Sequence, residues 1–206
     1  MRALLLIDIQ NDFLPGGALA VGEGNQVVPV ANKLIAKLPV ELVIATKDWH
    51  PPEHGSFAKQ HGKSPFEMGE LSGLPQTMWP EHCVQDTPGA ELAKELQDKN
   101  INRIFTKGID HTVDSYSAFY DNAKRNSTGL GEWLKEQSIT ELFILGLATD
   151  YCVKFSVLDA LALGFKVNVV ADGCRAVDPN AGQQALKEMV SAGANIITSQ
   201  GLVGII

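Results

Sequence analysis

The chain carries 206 residues, 45% of them hydrophobic and 20% charged, a composition that suits one folded domain spanning residues 1–206. Its 17 basic and 24 acidic residues leave a formal net charge of -7 without any basic run, which argues against nucleic acid as a partner. No stretch approaches the roughly 18 apolar residues of a bilayer span. Three scattered cysteines, Cys83, Cys152 and Cys174, do not make a disulfide framework, so a cytoplasmic location without membrane association is expected.

Short apolar runs alternate with helical patterns along the chain. Residues 3–7 read as a buried strand ending at Asp8 rather than a leader, since no small-residue cleavage site follows. A helix is predicted over 26–38, closed by Pro39, and then a strand over 41–46. Residues 49–87 are rich in Gly, Pro and His and lack periodicity. Beyond them come a helix over 90–99, a strand over 103–106, an irregular stretch over 110–126 and a helix over 130–137. The last third gives strands at 141–145, 166–170 and 195–198 and helices at 151–163 and 180–192, with Gly164 and Gly193 as stops. Several of these strands are apolar throughout, and their alternation with helices predicts an α/β fold with a three-layer α/β/α arrangement around a six-stranded parallel sheet. Ligands of such sheets bind beyond the carboxyl ends of the strands, and long loops there usually function.

Reactive residue types gather at those ends. Asp8 ends the first strand, Asp48 and His50 follow the second, Lys107 ends the third, and Cys152 follows the fourth where a helix opens. A helix N-terminus favours a thiolate, and its free N–H groups can hold a developing oxyanion. A thiol that must lose a proton needs a base, which Asp8 can supply once burial raises its pKa. Lys107 can hold that carboxylate and stabilise anionic charge. Each residue alone has a bland explanation: a free cysteine is commonly a small buried hydrophobe, and a strand-end charge is commonly a cap or solvated. Their value is joint.

A second group is metal-like. Asp48-Trp49-His50 sets a carboxylate and an imidazole two apart in an extended segment, so both face one way. His54 follows four residues later, and His82 lies in Trp79-Pro80-Glu81-His82-Cys83. One carboxylate and two imidazoles suit Zn²⁺, with Fe²⁺ or Mn²⁺ as alternatives, although Asp-x-His as a bare pattern is commonly structural. His61 has no partner by spacing and reads as a solvated loop residue.

Five segments now resemble one family in sequence order: Asp8-Ile9-Gln10-Asn11-Asp12-Phe13, the run from Lys47 to Phe57 that holds Asp48-Trp49-His50-Pro51, Trp79-Pro80-Glu81-His82-Cys83-Val84, Lys107-Gly108, and Gly146-Leu147-Ala148-Thr149-Asp150-Tyr151-Cys152-Val153. They look like those of nicotinamidases (pyrazinamidases), which are isochorismatase-like hydrolases. The resemblance implies hydrolysis of nicotinamide to nicotinate and ammonia, a step of NAD salvage, and action on pyrazinamide. It casts Cys152 as nucleophile, Asp8 as proton carrier and Lys107 as third member of the triad. The N–H groups of Ala148 and Cys152 would form the oxyanion hole, beside a cis Leu147–Ala148 peptide. Asp48, His50 and His82 would bind the metal, with His54 as the residue that would supply a fourth ligand. Phe13, Trp79 and Tyr116 would wall the ring. Tyr151 stands where some relatives carry histidine, without an expected change in chemistry.

Other readings divide on stated features. A different isochorismatase-like amidohydrolase, acting on another small amide, would share the triad but generally lack Asp48, His50 and His82. A zinc hydrolase using metal-bound hydroxide would leave Cys152 structural. A pure binding or assembly module would have no need of a poised nucleophile and base. Self-association into a homo-oligomer is compatible with all of them.

Overall fold

The computed structural model describes residues 1–203. Six parallel strands form one sheet in the order β5-β2-β1-β6-β7-β8. They are β1 (Arg2–Ile7), β2 (Leu42–Asp48), β5 (Arg103–Lys107), β6 (Glu141–Leu147), β7 (Lys166–Arg175) and β8 (Asn195–Ile197). Central β1 is buried on both faces, with Leu4, Leu5 and Leu6 all at 0% exposure. Each such side chain stabilises the fold by about 1.5–3 kcal/mol. That double burial explains the unbroken apolar run in the sequence.

Helices α1 (Val27–Lys37), α2 (Leu130–Glu136), α3 (Lys154–Ala162), α4 (Pro179–Ser191) and α5 (Ser199–Val203) surround the sheet. Helices α1 and α5 pack together against β7, while α3 packs with α4. Helix α1 turns Val27, Val28, Ala31 and Leu34 inward, the i, i+1, i+4, i+7 pattern of an apolar stripe. Asp178 caps α4 by accepting from the N–H groups of Asn180 and Ala181, with Pro179 in the first turn. Among the described residues no helix is long and apolar enough to cross a bilayer.

Two expectations fail. The helix predicted over 90–99 is absent; only short 3₁₀ turns, Pro88–Ala90 and Asp98–Asn100, flank an extended piece. Tertiary hydrogen bonds hold it open: Ala93 N–H donates to Ile9 O, Asn11 N–H to Glu91 O, and the Gln10 amide to Ala90 O. Asn32 adds two more, donating to Glu95 O and accepting from Gln97 N–H. These bonds replace the intrahelical ladder, so local propensity loses. The irregular 49–87 stretch, in turn, contains an antiparallel hairpin, β3 (Met68–Leu71) with β4 (Leu74–Thr77). Its strands are too short to show a period.

The strand order reverses direction between β1 and β6, which lie side by side. Ile7 pairs in register with Gly146, so Asp8 and the segment leading to Cys152 leave the sheet at one level. Asp48 pairs with Lys107 across β2 and β5. The switch point therefore collects residues from four strand ends.

Candidate active site

Lys107 is the hub. Its Nζ donates to Asp48 Oδ1 at 2.5 Å, to Ser115 O at 2.9 Å and toward Cys152 Sγ at 3.4 Å. It also lies 2.8 Å from Asp8 Oδ2, an ion contact without hydrogen-bond alignment. The other Asp8 oxygen, Oδ1, accepts from the Thr46 hydroxyl at 2.6 Å, and Asp8 N–H donates back to that hydroxyl. Asp8 sits in the left-handed region at φ 47°, a strained conformation of the kind that collects at functional sites. Thr46 carried no sequence signal beyond its place in β2.

Electrostatics follow from burial. Asp8, Lys107 and Cys152 are all nearly inaccessible, at 0%, 2% and 6%. Burial raises the Asp8 pKa; Lys107 opposes this and Asp48 reinforces it. Burial would do the same to Asp48, but Lys107 and then His50 outweigh it and hold that carboxyl far below its usual range. Asp48 and Asp8 together keep Lys107 charged against the desolvation that would neutralise it. Burial pushes Cys152 well above its ordinary value; Lys107 pulls down, and Asp8 adds to the rise. A raised thiol pKa is in line with a thiol that needs a base to lose its proton, whereas the helix terminus pulls the other way.

Locally, Cys152 lies in a π-helical turn, Thr149–Val153, before α3 begins. The Leu147–Ala148 peptide is cis, as the resemblance implied. Asp150 anchors the turn by accepting from the N–H groups of Val177 and Asp178, both at 3.0 Å.

The Asp48, His50 and His82 donors converge. His50 turns Nδ1 to Gly108 O and His82 turns Nδ1 to Pro80 O, each at 2.8 Å, which leaves both Nε2 atoms for the site. Those Nε2 atoms stand 3.7 Å and 3.9 Å from Asp48 Oδ2. Ligands bonded at about 2.0 Å in a tetrahedral site would sit roughly 3.3 Å apart, so the set fits a divalent ion with small adjustment. Burial, reinforced by His50, lowers His82 to about 4, so its lone pair is free at neutral pH. His54 is brought in as well, its ring centroid 4.2 Å from that of His50. His54 Nδ1 meets Ser56 Oγ at 2.7 Å, while its buried Nε2 has no partner among the described residues. An unpartnered buried imidazole nitrogen of this kind can bind a cation. Gly108 is obligatory here: it adopts φ +65°, and a Cβ would fall 2.4 Å from the His50 ring. His61 stays outside, exposed and bonded to Gly55 O.

A cavity joins the two groups. Phe13, Trp79 and Tyr116 line it as expected, with Asp48, His82, Ala148 and Cys152. Leu19, Val21, Asp114, Tyr151 and Val177 line it too, and the sequence did not single out the first three or the last for it. Tyr151 packs edge-on against Trp79 at 4.9 Å and Tyr116 at 5.3 Å, so it is part of the aromatic wall. Asp12 holds the loop carrying His82, accepting from Cys83 N–H at 2.7 Å and, through its other oxygen, from Ala18 N–H at 3.2 Å. An apolar slot thus reaches the Cys152 thiol and, at Asp48 and His82, oxygen and nitrogen atoms that can ligate a cation.

Known proteins share this fold. The family model described as Isochorismatase domain matches residues 2–201. A nicotinamidase of Escherichia coli is 57% identical over 201 residues, covering 96% of this chain and 94% of the relative. The structure of an Acinetobacter baumanii nicotinamidase pyrazinamidase superposes with a TM-score of 0.93 at 41% identity, covering 98% of this chain and 97% of that one. A pyrazinamidase of Pyrococcus horikoshii in complex with zinc superposes at 0.79 with 36% identity, covering 96% and 98%. On a match across nearly its whole length, the chain belongs to the isochorismatase family, in the group that holds the nicotinamidases.

Proposed function

We propose that this chain is a nicotinamidase, hydrolysing nicotinamide to nicotinate and ammonia as one catalytic domain, and that it also accepts pyrazinamide. One observation carries the reading: Lys107 joins Asp8, Asp48 and Cys152, so a thiol, a carboxylate close to it and a cation-binding set meet beside one aromatic slot. The relatives named nicotinamidase support the substrate, and the slot supports a flat aromatic ring edged by Trp79, Tyr116 and Tyr151.

The Cys152 sulfur attacks the carboxamide carbon as its proton passes to Asp8. Because both pKa values are raised by burial, transfer and attack proceed together rather than from a standing thiolate. The Ala148 and Cys152 N–H groups hold the oxyanion. Asp8 returns the proton to the departing nitrogen, which leaves as ammonia, and a thioester remains on Cys152. Asp8 then takes a proton from the attacking water and gives it to the Cys152 sulfur as nicotinate leaves. Lys107 keeps Asp8 in place and balances negative charge through both halves.

Asp48, His50 and His82 would hold a divalent transition metal, zinc first and iron or manganese as alternatives, with His54 as a further ligand through its orphan Nε2. Such an ion would offer a coordination position to the pyridine nitrogen and so orient the ring. Three buried, unpaired cysteines suit a cytoplasmic enzyme. The deciding experiment is ammonia release from nicotinamide by purified protein, before and after metal stripping. No release from the metal-replete protein would overturn the assignment.

A further inference from the structure

Asp114 is a buried carboxylate, 4% exposed, to which the steps above give no task. It lines the aromatic slot alongside Asp48 and His82. One of its oxygens and a ring nitrogen from each of His50 and His54 lie within 4.8 Å of one another. His50 belongs equally to the trio with Asp48 and His82, so the two trios border one space. The unpartnered Nε2 of His54, a residue with 0% exposure, is a second sign that this side of the space takes a ligand.

Asp114 is also fixed in place. Its Oδ1 accepts from Ser115 N–H at 2.8 Å and its Oδ2 from the Gln76 amide at 2.7 Å. Gln76 lies on β4 and is 3% exposed. The same amide nitrogen is 3.1 Å from the Tyr116 hydroxyl, which accepts from Trp79 Nε1 at 3.3 Å. One hairpin side chain therefore sets the carboxylate and the aromatic wall relative to each other. Charge gives the arrangement its purpose. Asp8, Asp48 and Asp114 are all buried here, and the buried ammonium of Lys107 is ion-paired to the first two. Three buried carboxyls beside one ammonium leave an excess of acidic groups that a divalent cation would offset.

We infer that Asp114 is a positioning residue of the cation site, acting from the His50–His54 side, and that Gln76 aligns it with the aromatic wall. This rests on the proposed cation at Asp48, His50 and His82. Carboxylates beside a ligand set strengthen and orient binding, and losing one typically costs tenfold or more in metal affinity.

The test uses purified full-length protein, wild type, Asp114→Asn and Gln76→Leu. Zinc and manganese affinities are measured by competition with a chromophoric chelator, and Tm is read with and without metal. Asp114→Asn should bind either ion about tenfold more weakly or worse, while its metal-stripped form melts no lower than stripped wild type. Gln76→Leu should weaken the ion in the same direction and, at saturating metal, raise KM for nicotinamide more than it changes kcat. Wild-type protein that binds one ion, with Asp114→Asn within twofold of it, overturns the role of Asp114 and leaves the nicotinamidase reading standing. A stripped Asp114→Asn that melts lower with unchanged affinity marks a purely structural carboxylate and overturns it equally. Turnover of nicotinamide by wild type that binds no ion overturns both this role and the metal. Should Asp114→Asn fail to fold, full affinity in Gln76→Leu overturns the alignment.

Discussion

The ammonium of Lys107 lies 2.5 Å from Oδ1 of Asp48, whose Oδ2 faces the Nε2 atoms of His50 and His82. Lys107 therefore ties the proposed cation-binding group to the proposed triad. Lys107→Met should leave Asp8 and Asp48 as neighbouring buried carboxylates without a counter-charge. Removing one member of a buried ion pair costs about 3–5 kcal/mol. Urea denaturation should show that loss, and turnover should vanish. Normal stability in the mutant would mean the ion contacts contribute little.

Cys152→Ala tests the nucleophile. Alanine fits the small buried position, so the fold should persist while turnover drops by several orders of magnitude. Wild-type protein quenched during turnover should carry the acyl group on Cys152 by mass spectrometry. Substantial activity in the pure mutant would rule out the thioester route.

The pH dependence follows from Asp8. It accepts a proton only when ionised, and burial raises its pKa, so the acidic limb of kcat/KM should lie above the ordinary value of 3.8. The same shift has a sign for stability. A carboxyl whose folded pKa is raised favours the fold fully below its unfolded value, and that contribution is lost as pH rises through the folded value. At neutral pH Asp8 is therefore a burden, kept for chemistry. Asp8→Asn should be inactive yet unfold in urea at a midpoint no lower than wild type at pH 7. A clearly lower midpoint would show that the Lys107 contact outweighs desolvation.

Metal retention should depend on His82 and, less obviously, on Gly108. His82→Ala removes a donor and should sharply lower occupancy measured by elemental analysis. Gly108→Ala places a Cβ against the His50 ring at a positive φ, so it should lower occupancy too and destabilise the fold by about 1–3 kcal/mol. Full occupancy in both variants would show that the ion is held elsewhere.

Selectivity should turn on the ring nitrogen. Benzamide has the shape of nicotinamide and no donor for the cation. Loss of one positioning interaction at a site built for it should lower kcat/KM by roughly a hundredfold. Steady-state rates on metal-replete enzyme decide this, and equal values for the two amides would make the site a generic aromatic amidase.

Sequence by itself determined the sheet and the reactive set, because both depend on local rules. Short apolar runs such as residues 3–7 read as strands buried on both faces, and Asp8, Asp48, Lys107 and Cys152 stand at or just beyond the strand ends. Their motifs, in order, carried the family. The tertiary structure alone decided what depends on partners distant in the chain. Residues 90–99 have helical propensity, yet hydrogen bonds from Ile9, Gln10 and Asn11 hold them extended. The hairpin that brings Gln76 to Asp114 has strands of four residues each, too short for a readable period. Lys107 bridging the triad to Asp48 follows from register between β2 and β5. The rise in the Cys152 pKa comes from burial, a property of the packed site, whereas the helix terminus visible in the sequence pulls the other way.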